Sequence, residues 1–175
     1  MNGRPRRMLL ELPTADEIDE MASNRPALLV RRFDFDLKDR RIDLNYTPCK
    51  GEVLFVTEGV RGVAFVRTEG AVIWTLPSGR ICVNEAPEAA ARRIAKERCG
   101  IRLGEMDLMA LYDVTRHYEN VSIKRLLVVY RAKVEEYHSG TDEDGRTRCV
   151  FHSAYLEELV CEEIDSRAIA DCLER

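Results

Sequence analysis

The segment GRICVNEAPEAAARRIAKERCGI, Gly79 to Ile101, constrains the fold more than any other stretch of the chain. Pro87 suits the first turn of a helix, where its missing N–H is not needed. The run EAAARRIAKER that follows is rich in strong helix formers. Gly100 suits a left-handed helix stop. The segment therefore reads as loop, helix and loop, set between stretches that favour strands.

Upstream, EVLFVT, VAFVR and AVIWTL read as strands, with Glu58-Gly59 and Glu69-Gly70 as turns and Pro77-Ser78-Gly79 as a break. Downstream, LMALYDV, SIKRLLVVYRAKV and RCVFH read as strands, and SGTDEDGRTR as a polar loop. SAYLEELVCEEI and SRAIADCLER read as helices, the second with Ser166 as N-cap. Strands, one helix, strands and helix in that order predict an α/β (α+β) fold, a mixed sheet with helices on both faces.

The first 50 residues carry a different pattern. Thr14-Ala-Asp-Glu17 has the form of a capping box, which predicts a helix over 15–22. Phe33, Phe35 and Leu37 alternate with charged residues, and Ile42, Leu44 and Tyr46 repeat the alternation after KDRR. That predicts a β-hairpin with one apolar face, covered by the core or by a second copy in a homodimer. With a boundary near Pro48 to Gly51, residues 1–50 form an N-terminal extension and residues 51–175 the main domain.

Bulk properties narrow the function. A net charge of −4 gives no reason to expect nucleic-acid binding. No apolar run reaches the ~18 residues of a membrane span, and the start, MNGRPRRMLLELPTADE, lacks the apolar core of a signal peptide. A soluble, cytoplasmic protein is the expectation. The six cysteines, at 49, 82, 99, 149, 161 and 172, form no C-x-x-C pair, so neither a zinc site nor a disulfide framework is expected. There is no P-loop, G-x-S-x-G or H-E-x-x-H.

Gly79, Glu85, Arg93, Glu97, Gly100 and Ile101 are spaced as in the pattern G-x5-E-x7-R-E-U-x-E-E-x-G-U, where U is aliphatic, and Ala95 stands at the first U. The segment resembles the Nudix box of Nudix hydrolases. Trp74-Thr-Leu76-Pro77 before it is similar to the family's W-x-L-P-G-G, with Ser78 at the first glycine. The resemblance implies a Nudix-like α/β/α sandwich. It implies a ligand class too, nucleoside diphosphates linked to another group, and magnesium held by the helix carboxylates. It casts Glu85 and Arg93 as a pair that braces the loop, with Gly100 closing the helix.

Two positions depart from the pattern. Ile94 stands where the family has a glutamate, and Arg98 where it has the second of two paired glutamates. On a regular helix, 94, 97 and 98 share a face. Its formal charge here is zero rather than −3. Isoleucine has no ligand atom, and arginine repels a cation. At ~4 Å and an effective dielectric near 20, two unit charges interact by about 4 kcal/mol. Glu97 alone is a poor metal holder, so no metal site is assigned. Glu97 remains the candidate catalytic carboxylate, and Arg98 with Gly79 the candidate substrate contacts. Arg98 either binds a diphosphate directly or complements the helix C-terminus. Arg92 is expected to pair with Glu88. Asp113, Glu119, Glu143 and Asp144 are the acids from later segments that could replace a ligand.

Three roles fit this reading. The first is a divergent member that binds a nucleotide or phosphate ligand with hydrolysis lost or much weakened. The second is a working Nudix-type pyrophosphohydrolase (a pyrophosphatase acting on nucleoside diphosphate derivatives) with re-sited ligands, the only case that calls for magnesium. The third is a structural, dimerising domain.

Overall fold

The computed structural model describes residues 28–42, 51–138, 147–152 and 162–174. The described elements are β1 (Leu29–Leu37), β2 (Gly51–Glu58), β3 (Val63–Thr68), β4 (Ser78–Arg80), α1 (Pro87–Ile94), β5 (Ile101–Tyr118), β6 (Ser122–Tyr137), β7 (Thr147–His152) and α2 (Glu163–Leu173). Five strands form a mixed sheet in the order β1-β5-β6-β2-β4, and β3 pairs with β7 in a second, two-stranded sheet. Within the large sheet β1 and β5 run parallel, as do β2 and β6, while β5–β6 and β2–β4 are antiparallel.

The run EVLFV is apolar at nearly every position because β2 is covered on both faces. Val53 and Phe55 pack on the α1 side with Ala91, Ile94 and Leu111. Leu54 and Val56 pack on the α2 side with Tyr112, Ala168 and Ile169. This is the expected α/β/α layering, with few helices about a mixed sheet.

Details differ from the sequence reading. AVIWTL is not a strand; it touches β3 through one bridge, Val66 to Thr75. Its indole instead lies under the Arg67 guanidinium, 4.7 Å from the ring centroid, a cation–π contact that needs no ladder. α2 starts earlier than expected, with Glu162 at the N-cap, and Ser166 sits inside its first turn, its N–H donating to the Glu162 carbonyl at 3.2 Å. The expected helix over 15–22 and nearly all of SAYLEELVCEEI lie outside the described residues.

The first arm of the expected hairpin, residues 33–37, is part of β1, whose ladder partner is β5. The apolar stripe faces the domain: Phe33 packs on Tyr112 with centroids 5.0 Å apart. After Leu37 the chain turns towards the β5–β6 connection, where Ile42 exchanges two hydrogen bonds with the Asn120 side chain. The rest of the second arm, 43–46, lies outside the described residues.

Candidate functional site

The loop before α1 is folded by its own residues. Asn84 takes a left-handed conformation, φ 60°, which short polar side chains tolerate. Glu85 then folds back over the loop: its Oε1 accepts from the Cys82 N–H at 3.0 Å. Arg93, two turns along the helix, closes the arrangement. Its Nε donates to Glu85 Oε2 at 2.9 Å, and its Nη2 donates to Glu85 Oε1 at 3.1 Å and to the Arg80 carbonyl at 2.8 Å. Hydrogen bonds from Arg93 hold the Glu85 carboxyl below the usual glutamate range, although burial opposes this. The same contact raises Arg93 above the usual arginine value. Glu85 and Arg93 thus join the loop to the helix through a two-point, charge-assisted contact.

One turn later the face expected for 94, 97 and 98 divides. Ile94 is 3% exposed and belongs to the core. It packs against Gly79, where an added Cβ would lie 2.8 Å from Ile94 Cδ1. Residues Ala95–Cys99 continue as a π turn that ends at Gly100, φ 65°. The wider turn rotates later side chains relative to a regular α-helix. Glu97 and Arg98 therefore face outward while Ile94 faces inward.

Glu97 is held by Arg93, whose Nη1 lies 3.4 Å from its Oε2. Arg98 reaches away from its own helix, to the Ser78 carbonyl on β4 at 3.5 Å. Its neighbours Arg92, Arg93 and Arg102 each pair with an acid. Among the described residues no acid pairs with Arg98. Arg92 pairs with Glu88 as expected, and also donates to the Leu103 and Gly104 carbonyls at 2.6 and 2.9 Å. That second contact ties α1 to β5 and has no sequence signal.

Ser78 also lines a cleft of about 100 Å³ on the α2 side of the sheet. Leu54, Val114 and Leu127 give it an apolar floor, and Glu52, Arg125 and Asp165 are among its polar walls. Arg125 Nη1 donates to Glu52 Oε1 at 2.7 Å, with both side chains mostly buried. Burial pushes the Asp165 carboxyl up to about 7, and Glu162 adds to the rise. Sequence reasoning missed all three residues. The available signal was position: Asp165 lies on the same helical stripe as Ala168, Ile169 and Cys172, where an acid is out of place.

The other candidate acids are placed elsewhere. Asp113 pairs with Arg32 and Lys124, and Glu119 with Arg41, towards the β5–β6 turn. Glu143 and Asp144 lie outside the described residues.

A family model of the NUDIX domain matches residues 46–165. The chain belongs to the Nudix family. Solved structures agree on the fold. A Nudix hydrolase from Nitrosomonas europaea is 17% identical with TM-score 0.59, over 71% of this chain and 87% of that one. A MutT Nudix hydrolase from Burkholderia pseudomallei is 18% identical with TM-score 0.57, over 70% and 96%. A MutT protein from Bacillus halodurans is 15% identical with TM-score 0.59, over 69% and 79%. No curated protein matches the sequence. The β1 strand precedes the matched segment, yet its whole length is hydrogen-bonded to β5. No helix among the described residues is long and apolar enough to cross a membrane.

Nudix hydrolases typically use magnesium, which takes several oxygen ligands in octahedral geometry. The box of this member does not fit that ion. Of positions 94, 97 and 98, only Glu97 offers an outward carboxylate, and it is already engaged by Arg93, while Arg98 brings a positive charge. Among the described residues no cluster of three His, Cys, Asp or Glu side chains could hold a metal.

Proposed function

We propose that this Nudix protein binds a nucleoside diphosphate derivative or a related phosphate ligand, and that magnesium-dependent hydrolysis is lost or much weakened. The carrying observation is the fate of the two departed positions. Ile94 is built into the core against Gly79 and offers no ligand atom. Arg98 stands outside, with no acid partner among the described residues, over the strand residue that borders the cleft. An outward guanidinium with unused donors suits phosphate oxygens and makes bidentate contacts with them. The fixed cation then takes the electrostatic part that a metal plays in hydrolysing relatives, without activating water. The diphosphate lies at Arg98, and the rest of the ligand extends past Ser78 into the cleft.

The test is thermal shift with ADP-ribose, NAD and nucleoside triphosphates, with magnesium or with chelator. The expected result is stabilisation that ignores magnesium and falls with Arg98→Ala. Magnesium-dependent stabilisation with phosphate release would instead identify a working hydrolase with re-sited ligands. No response to any ligand, with a concentration-dependent dimer, would leave a structural role.

A further inference from the structure

One polar group of the cleft has no part in holding phosphate. Asp165 lines the cleft, is 4% exposed, and its Oδ2 has no hydrogen-bond partner. The backbone N–H groups of Leu76 and Glu162 favour its ionised form, against the larger effect of burial. A buried carboxyl oxygen without a partner is costly, and such atoms are rare in folded proteins. The other buried acid of α2 shows the contrast. Asp171 receives Arg31 through two donors at 2.7 and 2.8 Å, and the Tyr112 hydroxyl at 2.5 Å. One acid braces the fold with every bond made. The other stands beside an apolar floor with a bond unmade.

We propose that Asp165 reads the ring of the ligand by accepting a hydrogen bond from a ring N–H or amino group, so that the cleft selects heterocycles presenting a donor on the edge that enters it. The inference rests on the nucleoside diphosphate reading and names the determinant of specificity within it. Leu54, Val114 and Leu127 supply a surface for a flat ring. Oδ2 supplies the polar test. A site built to take an N–H discriminates strongly against an isostere lacking it, because the unmet acceptor stays buried.

The charged groups around Asp165 set the sign of the pH effect. Glu162, on the same element, disfavours the carboxylate, whereas Arg116 from β5 favours it. Glu52 and Arg125, from β2 and β6, face the cleft as a pair and largely cancel. Near neutral pH the free carboxyl is therefore split between its two forms. A ligand N–H binds the ionised form more strongly than the neutral acid, so binding releases a proton. With half-ionisation near pH 7, about a tenth of the sites are ionised at pH 6 and about nine-tenths at pH 8. Affinity for a donor-bearing ring should then rise about tenfold across that interval.

The experiment is titration calorimetry on the full chain at pH 6 and pH 8, in two buffers of different ionisation heat. The probes are the ribonucleoside diphosphates ADP, GDP, CDP and UDP, purine riboside 5′-diphosphate (whose ring carries no N–H) and inorganic pyrophosphate. The ratio of each affinity to that of purine riboside diphosphate cancels the titration of the phosphates. At least one donor-bearing base should exceed the donorless one by about tenfold or more at pH 8. That preference should shrink about tenfold at pH 6, with proton release between buffers. Asp165→Asn puts a permanent donor in place of the acceptor and should abolish both the preference and its pH dependence. If it does not fold, the wild-type ratios and proton release still decide the matter. Equal binding of all bases at both pH values, or a preference that survives Asp165→Asn, overturns the inference while leaving phosphate binding intact. If pyrophosphate and every nucleotide fail to bind, the ligand-binding reading itself falls, and this inference with it.

Discussion

Ile94 Cδ1 fills the space directly beside Gly79: a Cβ built on that glycine would lie 2.8 Å from it, and 3.2 Å from Ile94 Cγ1. Real carbons do not approach so closely, so the two positions are coupled sterically. Gly79→Ala should cost about 1–3 kcal/mol, the range for overpacking. Ile94→Val removes the closer of the two atoms and should recover part of that loss. A coupling energy of about 0.5–2 kcal/mol is expected from the double-mutant cycle, measured by urea denaturation. Strict additivity would show that the two side chains do not meet.

The Glu85–Arg93 contact should set the acid limit of the box. The Glu85 carboxyl is held below its ordinary value of 4.5 by Arg93. A depressed carboxyl contributes stability that is complete above 4.5 and lost as pH falls through the lower folded value. Glu85→Gln removes that linkage and leaves the partly exposed Arg93 with one acid fewer. Wild type and variant should therefore differ in stability at neutral pH and converge below the folded value. A constant gap across an acid titration followed by tryptophan fluorescence would contradict the assignment.

A further expectation concerns β1. Arg31 joins it to α2 through Asp171, a carboxyl that burial pushes up but that hydrogen bonds from Arg31 and Tyr112 bring below the usual aspartate range. Arg31→Met leaves Asp171 with a bond unmade, at a cost of about 1–3 kcal/mol. Deleting residues 1–47 also bares the edge of β5 and the Tyr112 face under Phe33. A lower melting temperature is expected for both changes. Unchanged melting and unchanged mass by light scattering would count against a bracing role for this segment.

Much of the box was legible from the chain alone because its signals are local: Pro87 at the first turn, Gly100 at the left-handed stop, and an arginine eight residues after a glutamate. Alternation in residues 33–37 correctly marked a strand with one covered face. It could not name the partner, because a period of two says which side is buried and not what lies alongside. The shared face of 94, 97 and 98 assumed a regular helix, and nothing in AKERC announces a π turn. The cleft was invisible for a similar reason. Glu52, Arg125 and Asp165 come from β2, β6 and α2, and only the tertiary fold brings them together.

The last prediction addresses the box itself. Ile94→Glu with Arg98→Glu returns the formal charge of positions 94, 97 and 98 from zero to −3. Arg98→Glu alone should fold well, since Arg98 is exposed and makes one long contact. It should not bind magnesium, because Ile94 still offers no ligand. Ile94→Glu alone should cost roughly 3–5 kcal/mol, the scale of an unpaired charge placed in a core. In the double variant a divalent ion would pull the carboxylate introduced at position 94 outward, so part of that loss should return when magnesium or manganese is added. The measurements are melting temperature against metal concentration and calorimetric titration of each variant, then phosphate release from a panel of nucleoside diphosphate derivatives. Metal-dependent stabilisation confined to the double variant would show that these two residues silence the site. Tight magnesium binding and turnover by the wild type would sink that idea. A folded double variant with no metal response would show that the surrounding cleft had diverged as well, and would favour the binding-module or the structural reading over a silenced hydrolase.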